Sequence, residues 1–120
     1  TIRRLNLPVK FFVLDNDGYA SIRATQETYF EARFYGSTEK GGLTLPRLEK
    51  IASAYGIPFM EMDTNNEIRQ RVQEVMKLNK PVICRVRVSE KQVTAPRVTS
   101  RQTEDGSMET APMEEMWPLK

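Results

Sequence analysis

Asn16 and Gly18 are the residues of this chain best suited to chemistry. They stand where the apolar run Val9-Lys10-Phe11-Phe12-Val13-Leu14 breaks into Asp15-Asn16-Asp17-Gly18-Tyr19. An amide oxygen and a backbone carbonyl are hard, neutral donors of the kind magnesium takes, and magnesium commonly shares phosphate oxygens with its ligand. Neutral donors suit a diphosphate, which already carries several negative charges and is repelled by surplus carboxylates. Gly18 supplies the turn and lets a bulky phosphate approach the backbone. Asn-Asp-Gly is also a favoured turn sequence, so an ordinary turn is the competing reading, and spacing leaves both open.

Composition narrows the alternatives. Histidine is absent, which removes the commonest general base near neutral pH, every triad that uses it, and the commonest transition-metal ligand. With the single cysteine Cys84 there is no zinc site, and any metal must be a hard ion held by oxygen. Cys84 lies in the apolar run Val82-Ile83-Cys84 and reads as a small buried hydrophobe that forms no internal disulfide, which points to a reducing, cytoplasmic setting. Eighteen basic against sixteen acidic residues give a formal charge of +2 with no basic cluster, so no nucleic-acid partner is expected. No window has the apolar length of a membrane span or the layout of a signal peptide. The length allows one domain.

Thr1 to Asn6 reads as a basic lead-in, the end of a helix, closed by Leu7-Pro8. Val9 to Leu14 predicts a strand buried on both faces of a parallel sheet. In such sheets ligands bind beyond the carboxyl ends of strands, where Asn16 falls. Tyr19 to Phe34 predicts a short helix and a loop, and Gly36 to Gly42 a mobile surface loop. From Thr44 the apolar residues Leu48, Ile51, Ala52 and Tyr55 have helical spacing, with Pro46 in the first turn and Gly56 as the stop. Ile57 to Met62 predicts a second strand. Thr64 and Glu67 have capping-box spacing at the head of a helix whose buried stripe is Ile68, Val72, Val75 and Met76. Pro81 to Val88 predicts the third strand.

Alternating strands and helices imply an α/β fold, a parallel sheet of about three strands with helices on both faces. Residues 1–88 are expected to form this partial domain, and residues 89–120 an extended tail that packs on it or on a partner, with Trp117 as anchor. A sheet this thin has exposed edges, so a second copy or further strands should complete it.

The run from Leu7 through Asn16 and Gly18 to Gln26 resembles the second half of the thiamine diphosphate motif of the acetolactate synthase-like family of 2-oxo acid decarboxylases and carboligases. Gly42-Leu43-Thr44-Leu45-Pro46, Ala54-Tyr55-Gly56-Ile57-Pro58, Lys80-Pro81-Val82-Ile83-Cys84 and Val93-Thr94-Ala95-Pro96-Arg97 follow in that family's order. The resemblance implies Asn16 as a side-chain ligand and Gly18 as a main-chain ligand of magnesium, which clamps the thiamine diphosphate. It implies Tyr19 and Ile22 as walls of the cofactor site, against a plain role in packing the helix on the sheet. Arg23 and Gln26 read as substrate-facing or simply solvated.

The resemblance also sets limits. The family's Gly-Asp-Gly element, with its metal-binding aspartate, and its catalytic glutamate have no counterpart in this chain. Further sequence is expected before Thr1, and the chain alone is expected to be inactive. Asp15 replaces the first asparagine of the family's pair, adding a charge near the phosphates unless it enters a salt bridge. The family's Gln-Trp pair is missing from Ile22-Arg23-Ala24-Thr25-Gln26, so substrate choice stays open among 2-oxo acids. The implied partner is the rest of the same enzyme or a second copy in a homo-oligomer. The contrasting expectation is a non-catalytic α/β module that self-associates and acts by protein interaction.

Overall fold

The computed structural model describes residues 1–118; Leu119 and Lys120, at the end of the expected tail, lie outside the described residues. The chain divides into two compact units, Thr1–Glu90 and Lys91–Lys120. In the first, α1 (Ile2–Leu5) is stopped by Asn6 in the left-handed conformation at φ 46°, a state asparagine tolerates. There follow β1 (Lys10–Asp15), α2 (Ala20–Tyr29), α3 (Leu48–Ala54), β2 (Phe59–Met62), α4 (Asn65–Lys77) and β3 (Val82–Arg87).

The three strands form one sheet in the order β1-β3-β2. All pairings are parallel, with Lys10 opposite Val82, Asp15 opposite Arg87 and Glu61 opposite Arg85. The α/β architecture with a three-stranded parallel sheet flanked by helices is the one the sequence predicts. β3 takes the centre because Val82-Ile83-Cys84 can be buried on both faces, and all three are buried. Met62, Val75, Val82 and Cys84 make the core, with Met60, Val72, Leu78 and Val86 packed around them. α4 therefore covers one face. Ile83 points to the other by strand alternation, and α3, with buried Ala52, packs against β2 and β3. The Lys10 ammonium on β1 donates to the carbonyls of Pro8, Leu78 and Lys80, tying the strand to the end of α4.

Several local expectations are corrected. β1 is an edge strand in this chain rather than one buried on both faces, and Phe12 and Leu14 remain 38% and 65% exposed. Pro46 precedes the α3 cap residue Arg47 instead of entering the first turn, because Arg47 is still extended. Tyr55 falls past the end of α3 and is exposed. Gly56 does end that helix: at φ 61° it lets the Ile57 amide reach back to the Ala52 carbonyl. Thr64 occupies the cap position of α4 but its side chain makes no cap bond, and the Glu67 carboxylate lies 3.8 Å from Arg71 instead. Of the predicted α4 stripe, Val75 is buried and Val72 packs on the core, while Ile68 and Met76 are exposed. The narrow sheet has room beneath only one side of the helix.

The second unit contains a short hairpin of β4 (Ser100–Gln102) and β5 (Met108–Thr110), paired antiparallel. In its turn the Asp105 carboxylate accepts from the Thr103 hydroxyl and from the Ser107 amide and hydroxyl. These bonds, Thr103 first, hold its pKa down at about 2 from the usual 3.8. The stabilisation they give is present above 3.8 and is lost as pH falls through about 2. Replacing Thr103 by valine should bring the Asp105 titration back toward its ordinary value, read by NMR on the side-chain carboxyl. Arg97 and Trp117 exchange backbone hydrogen bonds, and the Arg97 guanidinium sits 5.9 Å from the indole centroid, within cation–π range.

Candidate functional site

The tip of β1 is built by the pairing of β1 with β3. Asp15 closes the strand, and its carbonyl accepts from the Val88 amide at 2.9 Å. Half-buried Asn16 comes next, then Asp17 in the left-handed conformation at φ 56° and Gly18 at φ 153°. Tyr19 caps α2. Asn16, Gly18 and Tyr19 thus share one turn, and Ile22 follows in the first turn of α2. Tyr19 and Ile22 each keep 46% of their surface exposed, so packing α2 on the sheet does not consume them.

The segment from Gly36 to Gly42 is not the mobile loop that its glycines suggest. It closes on itself through Gly36 to Gly41, Gly41 to Thr38 and Leu43 to Thr38 backbone bonds, and Ser37 is fully buried. Its Ser37 carbonyl accepts from the Tyr19 amide at 3.0 Å. A Cβ on Gly18 would lie 2.2 Å from that oxygen, so the neighbour that demands glycine here is Ser37.

α2 holds both loops. The guanidinium of Arg23, 8% exposed, donates to the carbonyls of Asn16 at 3.0 Å, Asp17 at 3.5 Å and Glu90 at 3.1 Å. The Gln26 amide donates to the Tyr35 carbonyl at 2.9 Å, and the Ser37 hydroxyl donates to Gln26 Oε1 at 2.6 Å. Arg23 therefore turns inward, which corrects the expectation that it faces substrate or solvent, while Gln26 stays partly exposed beside a cavity lined also by Phe30, Arg33 and Tyr35. A helix surface with so little apolar content gave no signal for this.

Charge is distributed across the carboxyl ends of the strands. Arg87 holds the Asp17 carboxylate in a fork, at 3.0 and 2.7 Å, and lies 3.3 Å from Asp15. Arg85 lies 3.0 Å from Glu61, 3.2 Å from Asp63 and 3.9 Å from Asp15. The Asp17 hydrogen bond, then its charge, then Asp15 raise the Arg87 pKa above its ordinary value. Asp15 is in a salt bridge, one of the two outcomes the sequence left open. Arg85 and Arg87 escaped the sequence reading, since only the register brings them opposite Val13 and Asp15.

Among the described residues no group of three or more His, Cys, Asp or Glu side chains could hold a metal ion. The tip offers instead the neutral oxygens of Asn16 and Gly18, with its own carboxylates engaged by guanidiniums. That donor set matches a hard divalent ion arriving with an anionic ligand. Among the described residues no helix is long and apolar enough to cross a membrane.

Residues 1–86 match the family described as thiamine pyrophosphate enzyme, C-terminal TPP binding domain. The mitochondrial acetolactate synthase of Schizosaccharomyces pombe is 26% identical over 98 residues, covering 82% of this chain and 14% of that protein. The acetolactate synthase large subunit of Porphyra purpurea is 26% identical over 98 residues, covering 82% and 16%. The acetolactate synthase isozyme 2 large subunit of Escherichia coli K12 is 24% identical over 98 residues, covering 82% and 17%. The chain spans about one sixth of the length of the curated relatives it matches, 14 to 17%.

Proposed function

Since the chain belongs to the family of thiamine pyrophosphate enzyme C-terminal TPP-binding domains, we propose that Asn16 and Gly18 supply half of a magnesium–diphosphate site in an acetolactate synthase-like enzyme that decarboxylates or ligates 2-oxo acids. The observation that carries this reading is the turn itself: two neutral oxygens at the carboxyl end of a parallel strand, with Asp15 and Asp17 drawn aside by Arg87. When bound, the cofactor supplies the electron sink for losing carbon dioxide from a 2-oxo acid, and the protein binds, orients and shields it. Asn16 contributes its amide oxygen and Gly18 its carbonyl to the metal. Tyr19 and Ile22, half exposed beside them, form wall around the cofactor.

The remaining ligands and the group that activates the cofactor belong to a part of the enzyme that the relatives' greater length accommodates, so turnover by this chain alone is expected to be nil. Exposed Phe12 and Leu14 on the edge strand favour completion by further polypeptide, either that missing part or a second copy. The same edge favours the second reading, a self-associating module without catalysis.

Calorimetric titration with thiamine diphosphate separates the two readings. Heat is expected with magnesium present and none after EDTA. Absence of heat with magnesium, both with the chain alone and with the preceding half of the site restored, combined with a cofactor-independent dimer in sedimentation, would leave the self-associating module.

Arg87→Met is expected to weaken magnesium–thiamine diphosphate binding severalfold, because the Asp17 carboxylate then loses its guanidinium partner and Asp15 keeps only Arg85, 3.9 Å away. Raising salt should narrow the difference from the parent chain. Equal affinity at low salt would remove Arg87 from the site.

A further inference from the structure

We propose that Arg23 is the positioning residue of the Asn16–Gly18 turn: buried beneath it, the guanidinium fixes two successive carbonyls and so sets how the Asn16 side chain and the Gly18 carbonyl are presented to a magnesium-bound diphosphate. The proposal rests on the reading of the site given above.

Arginine is almost never fully buried unless paired. Arg23 is 8% exposed, and the acceptors it reaches are backbone carbonyls of Asn16, Asp17 and Glu90. Dehydrating a guanidinium costs several kcal/mol per ion by order of magnitude, and neutral carbonyls offset less of that than a carboxylate does. Stability alone is therefore a poor reason for its place. What the guanidinium does supply is direction, because its donors lie in one rigid plane.

The backbone it grips is left-handed at two successive residues, Asp17 at φ 56° and Gly18 at φ 153°. Such conformations persist only where the surroundings over-determine them. Arg23 takes the first two carbonyls of the turn and leaves that of Gly18, the one assigned to the metal. From the other side Gly18 is pinned by Ser37, whose hydroxyl is held by Gln26. Arg23 and Gln26 are three residues apart and share a helix face. One face of α2 thus grips the turn and the loop closing on it.

The test compares Arg23→Met and Arg23→Lys with the parent in the full chain, with two readouts. In amide exchange followed by NMR, the Tyr19 amide, bonded to the Ser37 carbonyl, should exchange about tenfold faster or more in Arg23→Met, while Val82 and Cys84 keep their protection. In titration with magnesium chloride and thiamine diphosphate, Arg23→Met should bind about tenfold more weakly or worse, and Arg23→Lys should recover part of the loss. Unchanged Tyr19 exchange overturns the positioning role whatever the cofactor does. If the parent binds and Arg23→Met binds equally well, the role is overturned too. If the parent binds neither alone nor with the preceding half of the site restored, the cofactor reading fails while exchange still decides the role of Arg23. Should Arg23→Met fail to fold, Arg23→Lys carries both readouts, with parent-like values on both counting against the proposal.

Discussion

Replacing Gly18 with alanine is expected to destabilise the chain by about 2–5 kcal/mol, from overpacking and backbone strain together. The added methyl would stand 2.2 Å from the Ser37 carbonyl oxygen and 3.1 Å from the Arg23 guanidinium, at a φ of 153°. Neither neighbour yields easily. Ser37 is fully buried and its hydroxyl is tied to Gln26, and Arg23 is held by three carbonyls. Urea unfolding should show a lower midpoint with an unchanged slope. Gly36→Ala is the control, since it has positive φ, 63°, but nothing within 4 Å. Its loss should be the cost of the left-handed backbone alone, about 1 kcal/mol. Equal losses at the two positions would mean that Ser37 does not press on Gly18.

Asn16→Ala is expected to raise the Kd for magnesium–thiamine diphosphate by about a hundredfold, each tenfold being about 1.4 kcal/mol. Magnesium demands near-octahedral oxygen coordination, and water can refill the vacated position only by giving up the fixed geometry of the turn. Stability should barely change, by about 0.5 kcal/mol or less, because Arg23 holds the Asn16 backbone carbonyl and the substitution leaves that bond in place. Asn16→Asp sharpens the test. It keeps an oxygen ligand and adds a charge, so magnesium alone should bind more tightly while the magnesium diphosphate binds more weakly. Calorimetry with each ligand separates these effects. Parent-like affinity in Asn16→Ala would take Asn16 out of the metal site.

Much of the frame was legible because it depends on neighbours in sequence. The apolar run before Asp15, the helical spacing of Leu48, Ile51 and Ala52, the stop at Gly56 and the apolar start of β3 all express local periodicity or backbone freedom. The errors occur where a residue had two possible partners. Thr64 and Glu67 have the spacing of a capping box, yet Thr64 makes no cap bond and the Glu67 carboxylate lies 3.8 Å from Arg71, one helical turn on. Ile68 and Met76 fit a helical stripe, but the stripe is wider than the sheet it covers. The glycines of residues 36–42 signal freedom, yet only Gly36 and Gly42 use it, at φ 63° and 91°, whereas Gly41 allows the close approach of the Phe34 carbonyl.

The sequence by itself determined the strand and the turn of Asn16 and Gly18 at its tip, since these follow from residue types a few positions apart. Only the tertiary structure decided which charges meet at the tip. Parallel pairing sets Asp15 opposite Arg87 across 72 residues of chain and brings Asp17 into the same fork. The path of the chain likewise carries the carbonyls of Asn16, Asp17 and Glu90 over Arg23. Long polar side chains carry no periodic signal for such contacts. Their partners are fixed by the register and the packing that the apolar residues impose, and so the support of the site emerges only once the core has formed.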